Sequence, residues 1–388
     1  MVKYISLNNC AIFSQGKQVP VEEQSIEKFQ GSERFVRIVD FTSDNEQPRY
    51  IHKFEGNFNV KVDDLVMIRY GSQTAGKVVR GIKGIIANNM FKIDIDKNLF
   101  DINFAYYYLS SDKIYKMLMN VQSSSTMPAI TFGMLGQIEL PLFTLETQQK
   151  IVKVLSAIDD KIELNNSINN NLEQLAQAIF KSWFVDFEPF GGTMPDNWKV
   201  VDLGDICNIS AGGDKPSKFS VIQTQEFQIP IYSNGINNEG LYGYTNYAKI
   251  NNESVTISAR GTIGYTCLRL NPFFPIVRLI CIEPKNRLFS AKYLYQAIKR
   301  MDIVGFGTTQ QQITVPYCKT LKILLPSKEY LYKYANIVDR LYKEIFENKN
   351  ENIKLIQLRD TILPKLMNGE IDVSKVDISA DKLLFSED

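Results

Sequence analysis

Apolar side chains recur along two stretches of the chain with alternating spacings of four and three. In the first, Ile151, Leu155, Ile158, Ile162, Asn165, Asn169, Leu172, Ala176, Ile179 and Trp183 mark one seam. No Gly or Pro interrupts residues 145–187, and the run breaks at Pro189-Phe-Gly-Gly192. This spacing predicts a long helix with a coiled-coil seam rather than the wider stripe of a surface helix. At about 1.5 Å per residue, roughly 34 residues make a rod of about 50 Å. A second run extends from about Tyr330 to Leu366, and shifting the first seam by 183 positions gives Tyr334, Val338, Leu341, Ile345, Asn348, Asn352, Leu355, Arg359, Ile362 and Leu366. Both asparagines recur in place, and Leu172-EQLAQAIFKSWF aligns with Leu355-IQLRDTILPKLM without a gap. The chain is an internal repeat, and that constrains its architecture more than any single element does.

The regions ahead of the helices repeat more loosely. Tyr4-ISLNNCAIFSQG corresponds to Val200-VDLGDICNISAGG, and Val66-MIRYGSQTAG to Val255-TISARGTIG. Alternating runs such as Phe35-VRIVDF and Ala87-NNMFKIDI predict strands, and shorter helices are expected near Phe104–Leu118 and Ala291–Lys299. The expected class is α/β, with globular regions at 1–144 and 191–328. Long helices follow at 145–190 and 329–370, with a tail at 371–388.

Composition adds exclusions. Of 388 residues, 44% are hydrophobic and 22% charged, which supports a packed core. His52 is the single histidine, which nearly removes His-based triads, His-rich zinc sites and HExxH proteases. The five cysteines, at 10, 207, 267, 281 and 318, form no CxxC pair and read as buried thiols in a reducing compartment. No apolar run reaches membrane-spanning length, and MVKYISLNNC lacks the basic-then-apolar pattern of a signal peptide, so a cytoplasmic location is expected. The net charge is only +1, but it divides unevenly: +1 for residues 1–144, +6 for 191–328, and −3 for each remaining segment. The globular parts are the ones suited to an anionic partner.

Four short motifs are deceptive. Gly71-SQTA-Gly76-Lys77 matches a P-loop until Val78 replaces the Mg²⁺-binding hydroxyl, and its repeat partner Arg260-GTIGY has no lysine, so a glycine turn is the expected feature. Asn271-Pro-Phe-Phe274 looks like the catalytic tetrapeptide of adenine methyltransferases but lacks the accompanying Gly-rich loop. Pro275 to Lys285 resembles a nuclease pattern without its first metal-binding acid. His52, beside Lys53 and Glu55, reads as a surface residue. No metal site or catalytic constellation emerges, and two domains without chemistry point to recognition.

The polar loops carry suitable groups. Arg69, Ser72, Gln73 and Lys77 recur as Arg260 and Thr262, while Ser124 and Thr126 are mirrored by Thr308, Thr309, Gln310 and Gln311. Lys17, Arg37, Lys215 and Asn234 complete the candidate DNA contacts. Arg and Gln can bond paired edges of guanine and adenine, whereas Ser, Thr and backbone N–H groups position phosphates.

Together these residues resemble the DNA-specificity (S) subunit of type I restriction–modification systems over essentially the whole chain. The resemblance rests on Leu140-Pro-Leu-x-Thr-Leu-Glu146-x-x-Gln149-Lys-Ile151, Phe180-Lys-Ser-Trp-Phe184-Val-Asp-Phe and Met194-Pro-x-x-Trp198-x-x-x-x-Leu203-Gly-Asp-Ile206. Leu358-Arg-Asp-Thr-Ile-Leu-Pro364-Lys-Leu-Met-x-Gly369-Glu-Ile371 completes it. The second helix begins differently, with Ser327-Lys-Glu-Tyr330 and no matching Gln.

The resemblance implies two target-recognition domains reading halves of a bipartite double-stranded DNA target. It also implies an antiparallel coiled coil with a pseudo-two-fold repeat, on which two modification (M) subunits dock. The chain would bind no cofactor and catalyse nothing: S-adenosylmethionine belongs to the M subunits, ATP and Mg to restriction (R) subunits, and no membrane is involved. The antiparallel seam would set Asn165 near Asn352 and Asn169 near Asn348, within a spacer built on Ile158, Ile162, Leu172, Leu341, Ile345 and Leu355. Two other readings compete: a coiled-coil scaffold without a nucleic-acid role, and a degenerate methyltransferase or nuclease.

Overall fold

The structure is a computed structural model and describes every residue except 1, 44–45, 72, 121–128, 287–288, 307–310 and 377–388. The chain divides into two compact units, one of residues 1–164 and 351–388, the other of residues 165–350. Each unit therefore holds one globular half and a portion of both long helices.

The globular part of the first unit runs β1 (Lys3–Ser6), β2 (Ala11–Gln15), β3 (Ser32–Val36), β4 (Arg49–His52), β5 (Asn59–Val60), β6 (Leu65–Ile68), β7 (Val78–Val79), β8 (Gly84–Ile86) and β9 (Met90–Ile95). Helices α1 (Ile102–Leu109), α2 (Asp112–Asn120) and α3 (Phe132–Gly136) follow, then β10 (Glu139–Leu142) and α4 (Leu145–Phe184). The second half runs β11 (Lys199–Asp202), α5 (Leu203–Ile206), β12 (Cys207–Ala211), β13 (Ile229–Tyr232), β14 (Leu241–Thr245), β15 (Ser254–Ile257), β16 (Thr266–Arg269), β17 (Phe274–Pro275) and β18 (Ile280–Pro284). Helices α6 (Ala291–Lys299) and α7 (Val315–Lys319), strand β19 (Lys322–Leu325) and helix α8 (Lys328–Met367) complete it.

The repeat is carried by strand pairing rather than by sequence identity. Sheet β2-β9-β6-β7 has its counterpart in β12-β18-β15-β16, and the pair β1-β10 in β11-β19. In the smaller sheets, β3 pairs antiparallel with β4 and parallel with β8, as β13 does with β14 and β17. The helix caps repeat too. Thr131 Oγ1 accepts the Met134 N–H at the start of α3, and Thr314 Oγ1 accepts the Tyr317 N–H at the start of α7.

Two local expectations needed revision. The run Phe35–Phe41 is not one strand: the Asp40 carboxylate accepts the Arg37 N–H at 2.7 Å and folds Ile38–Phe41 into a 3-10 turn. The helix expected over Phe104–Leu118 breaks at Ser110-Ser111, where Ser111 Oγ donates to the Tyr108 carbonyl at 2.6 Å.

Within each unit the long helices pack antiparallel. In the first, Arg359 meets Asp159 at 2.8 Å and Lys161 meets Glu351 at 3.5 Å. In the second, Asn348 Nδ2 donates to Asn169 Oδ1 at 2.9 Å, and the rings of Trp183 and Tyr330 lie 6.2 Å apart. The seam is buried at Ile158, Asn165, Asn169, Ile345, Asn352 and Leu355, and half-buried at Ile162, Leu172, Leu341 and Asn348. Toward the end of α4 burial moves to Phe180 and Phe184, whose rings pack on Tyr293 and Tyr334. All five cysteines are free and buried, and burial pushes the thiols of Cys207 and Cys281 up to about 12, which leaves them inert at neutral pH. Among the described residues, no helix is long and apolar enough to cross a membrane.

Candidate nucleic-acid interface

In the first unit, β6 and β7 close a hairpin around Gly71 and Gly76, whose φ values of 121° and 82° lie in the left-handed region that glycine tolerates. The Gly76 N–H donates to the Ile68 carbonyl at 2.8 Å, and Thr74 Oγ1 donates to the Tyr70 carbonyl at 3.0 Å. Lys77 leads into strand β7 rather than a helix. The P-loop likeness therefore fails, since a helix N-terminus is what cradles phosphate in that motif. The half-buried Arg69 guanidinium lies 4.7 Å from the Tyr70 ring and 5.3 Å from that of Phe91, and Gln73 and Lys77 are exposed. Ser72, Ser124 and Thr126 lie outside the described residues. The chain beyond Thr126 returns to this hairpin at Ile130, whose N–H donates to the Arg69 carbonyl at 3.0 Å.

The second unit brings the corresponding loops together. Gln312 Oε1 accepts Arg260 Nε at 3.0 Å and Nη2 at 2.7 Å, and the Ile313 N–H donates to the Ala259 carbonyl at 3.1 Å. The Thr262 N–H closes the turn on the Arg260 carbonyl at 2.9 Å. Gln311 is exposed, and Thr308, Thr309 and Gln310 lie outside the described residues. In each domain, segments far apart in sequence thus meet beside the four-stranded sheet: Ile130 on Arg69 in the first, and Gln312 and Ile313 on Arg260 and Ala259 in the second.

The other nominated residues divide by what already occupies them. Lys17 lies 4.0 Å above the Phe54 ring, and Lys215, exposed, lies 4.5 Å above that of Phe219. Both leave the ammonium available to an anion. Arg37 does not: its guanidinium bonds the fully buried carboxylate of Asp40 and pairs with Glu46 at 3.1 Å, so it acts as a clasp. Asn234 is also structural, its amide donating to the Val277 carbonyl and its oxygen accepting the Ala259 N–H, each at 2.8 Å.

Sequence reasoning missed Arg278, which lines a cleft of about 540 Å³ with Lys215, Arg260, Asp214 and Tyr242. It also missed Gln148, fully buried at the start of α4. Gln148 donates to the carbonyls of Leu99 and Phe143 and accepts the Asp101 N–H, and its repeat position holds Leu331.

The deceptive motifs have structural explanations. Phe273 and Phe274 are core residues, and Lys285 Nζ donates to the carbonyls of Gly204 and Asp205. His52 is exposed, its ring 4.9 Å from Phe29. No cluster of three potential metal ligands occurs among the described residues.

Comparison with known proteins matches this architecture. A family model for the type I restriction modification DNA specificity domain fits residues 12–174 and again 195–355. The MjaIX type I restriction enzyme specificity subunit of Methanocaldococcus jannaschii is 28% identical over 324 residues, covering 75% of this chain and 74% of its own. The HindI specificity subunit of Haemophilus influenzae is 26% identical over 374 residues, covering 74% and 81%. A crystal structure of the type I system S subunit from M. genitalium shares the fold with a TM-score of 0.56 at 20% identity, over 95% of this chain and 96% of that one.

Proposed function

Because this chain belongs to the family of type I restriction–modification DNA specificity domains and carries two of them, we propose that it reads a bipartite duplex DNA target, one half per domain. The observation that carries this reading is the repeated strand order, which places an equivalent polar turn, and the segment that returns to it, at the same point in each domain. Lys17, Arg69, Gln73 and Lys77 in the first domain, and Lys215, Arg260 and Thr262 in the second, are the described candidates for contact. Arg37 and Asn234 act behind them as supports.

Modification subunits dock on the long helices and bring S-adenosylmethionine and the methyl-transfer chemistry. Restriction subunits, where present, bring ATP hydrolysis and cleavage. In this reading the chain selects the site and catalyses nothing itself, working in the cytoplasm on double-stranded DNA.

The test is a methylation map. The chain is expressed with its neighbouring modification subunit in a host lacking adenine methylation, and modified bases are read by long-read sequencing. The expected result is one bipartite motif with a fixed gap and an adenine methylated in each half. A stable complex that leaves every adenine unmodified would overturn the reading and favour a scaffold.

A further inference from the structure

The turn between β8 and β9 and that between β17 and β18 are the same element in the two repeats. In one, the Met90 N–H donates to the Ala87 carbonyl at 3.0 Å; in the other, the Leu279 N–H donates to the Ile276 carbonyl at 3.1 Å. Beneath each turn runs a glycine with no room for a side chain. A Cβ on Gly16 would sit 2.0 Å from the Ala87 oxygen, and one on Gly212 would sit 2.8 Å from the Ile276 oxygen.

The side chains displayed on this shared frame differ. The first domain places Asn88 and Asn89 there, half-buried, with Asn88 Nδ2 donating to Gln18 Oε1 at 3.3 Å. The second places Val277 and Arg278, with φ of 50° and 60°. A β-branched residue in the left-handed region is strained and persists only where its surroundings over-determine it. Here they do: the N–H groups of Val277 and Arg278 donate to the carbonyls of Gly213 and Gly212 at 2.8 and 2.9 Å, and Asn234 holds the Val277 carbonyl. The result is a rigid turn with both side chains exposed.

Arg278 has no ion pair among the described residues, and it shares its cleft with two further cations, Lys215 and Arg260, against one acid, Asp214. A fixed backbone with a free guanidinium suits planar, bidentate recognition, and in the major groove that geometry matches O6 and N7 of guanine.

We propose that the turn Ile276–Leu279 is the base-reading element of the second recognition domain, with Arg278 contacting a guanine edge while Lys215 and Arg260 hold flanking phosphates. The equivalent turn of the first domain offers Asn88, whose amide suits adenine. The inference rests on the DNA-reading function proposed above.

The test uses the full chain in complex with its modification subunit. The methylated motif is mapped for wild type, Arg278→Ala and Lys215→Ala, and binding is measured on duplexes varied one base pair at a time. Arg278→Ala is expected to erase a guanine preference at one position of one half-site and weaken the cognate duplex about 10- to 100-fold, leaving the other half-site unchanged. Lys215→Ala is expected to weaken all sequences alike and to reduce the salt dependence by about one counterion. An unchanged motif in Arg278→Ala, or a loss uniform across sequences, overturns the inference while leaving bipartite reading intact. A wild-type complex without any motif overturns both. Arg278 is exposed, so unchanged tryptophan fluorescence of the variant separates lost reading from lost folding.

Discussion

Glu173 fastens helix α4 to the recognition domain of the second unit, and its removal has a calculable effect. Its Oε1 accepts Gln296 Nε2 at 3.2 Å and Lys299 Nζ at 3.1 Å, both from α6, and Gln177 Nε2 at 3.3 Å. Burial alone would push this carboxyl up, but the Lys299 ammonium and the donors around it outweigh burial and hold it below its ordinary 4.5. A depressed carboxylate contributes stability at pH values above its unfolded pKa, and that contribution is lost as pH falls through the folded value.

Glu173→Gln keeps the shape and an acceptor but loses the charge. The Lys299 pair is partly exposed, so its share is about 0.5–1 kcal/mol. Weakening the charged hydrogen bond from Gln296 adds a similar amount, for a total of about 1–1.5 kcal/mol at neutral pH. Glu173→Ala takes the carboxylate from Lys299, which keeps the Tyr295 hydroxyl at 3.1 Å, and is expected to cost about 2–3 kcal/mol, since Gln296 still reaches the Tyr342 hydroxyl at 2.6 Å. The chain's two tryptophans, Trp183 and Trp198, both lie in the second unit, so urea titration followed by their fluorescence reports that unit. The difference between wild type and Glu173→Gln should be full at pH 7 and shrink as pH falls below 4.5 and through the lower folded value. A difference that does not change between pH 7 and strong acid would refute the electrostatic argument.

Three further outcomes are expected. Replacing both Asn169 and Asn348 by Leu removes the 2.9 Å bond across the helix pair and should hold or raise the second unit's stability while altering the gap in the methylated motif; an unchanged gap would mean these asparagines do not set register. Gly212→Ala should destabilise the second unit by about 1–3 kcal/mol in the same fluorescence assay, because the added methyl meets backbone atoms at 2.8 Å. In the first unit, Asp159→Ala removes the acceptor of the Tyr107 hydroxyl at 2.6 Å and of Arg359 at 2.8 Å; a loss of about 2 kcal/mol should appear as faster amide exchange in α1, and unchanged exchange there would show the clasp to be redundant.

The long helices were legible because a seam is a property of spacing, and spacing survives divergence between the repeats. The paired sheets were legible only as loose correspondences, since strand order is fixed by long-range pairing that no local pattern encodes. Phe180 and Phe184 took over the end of the seam because a cluster of rings from α6 and α8 drew burial away from the simple heptad positions. Arg37 is a free cation by sequence alone, but Asp40 and Glu46 fold back on it. Arg278 escaped notice for the opposite reason. Ile276-Val277-Arg278-Leu279 reads as a strand, and only the carbonyls of Gly212 and Gly213 force a β-branched residue into a turn there.

The division of the chain at residues 164/165 and 350/351 makes the two units unequal during synthesis. The second unit is one continuous stretch, so every segment it packs is made before the chain reaches residue 351. The first unit is not: its core includes Leu363, Leu366, Met367 and Val373, which are made after the whole of the second unit. Its amino-terminal portion must therefore wait, with the surface around Leu155 and Leu140 uncovered, until the end of α8 arrives. A chain released at residue 350 would thus hold every segment of the second unit and lack part of the first. The units are completed in the reverse of the order in which their recognition domains are written.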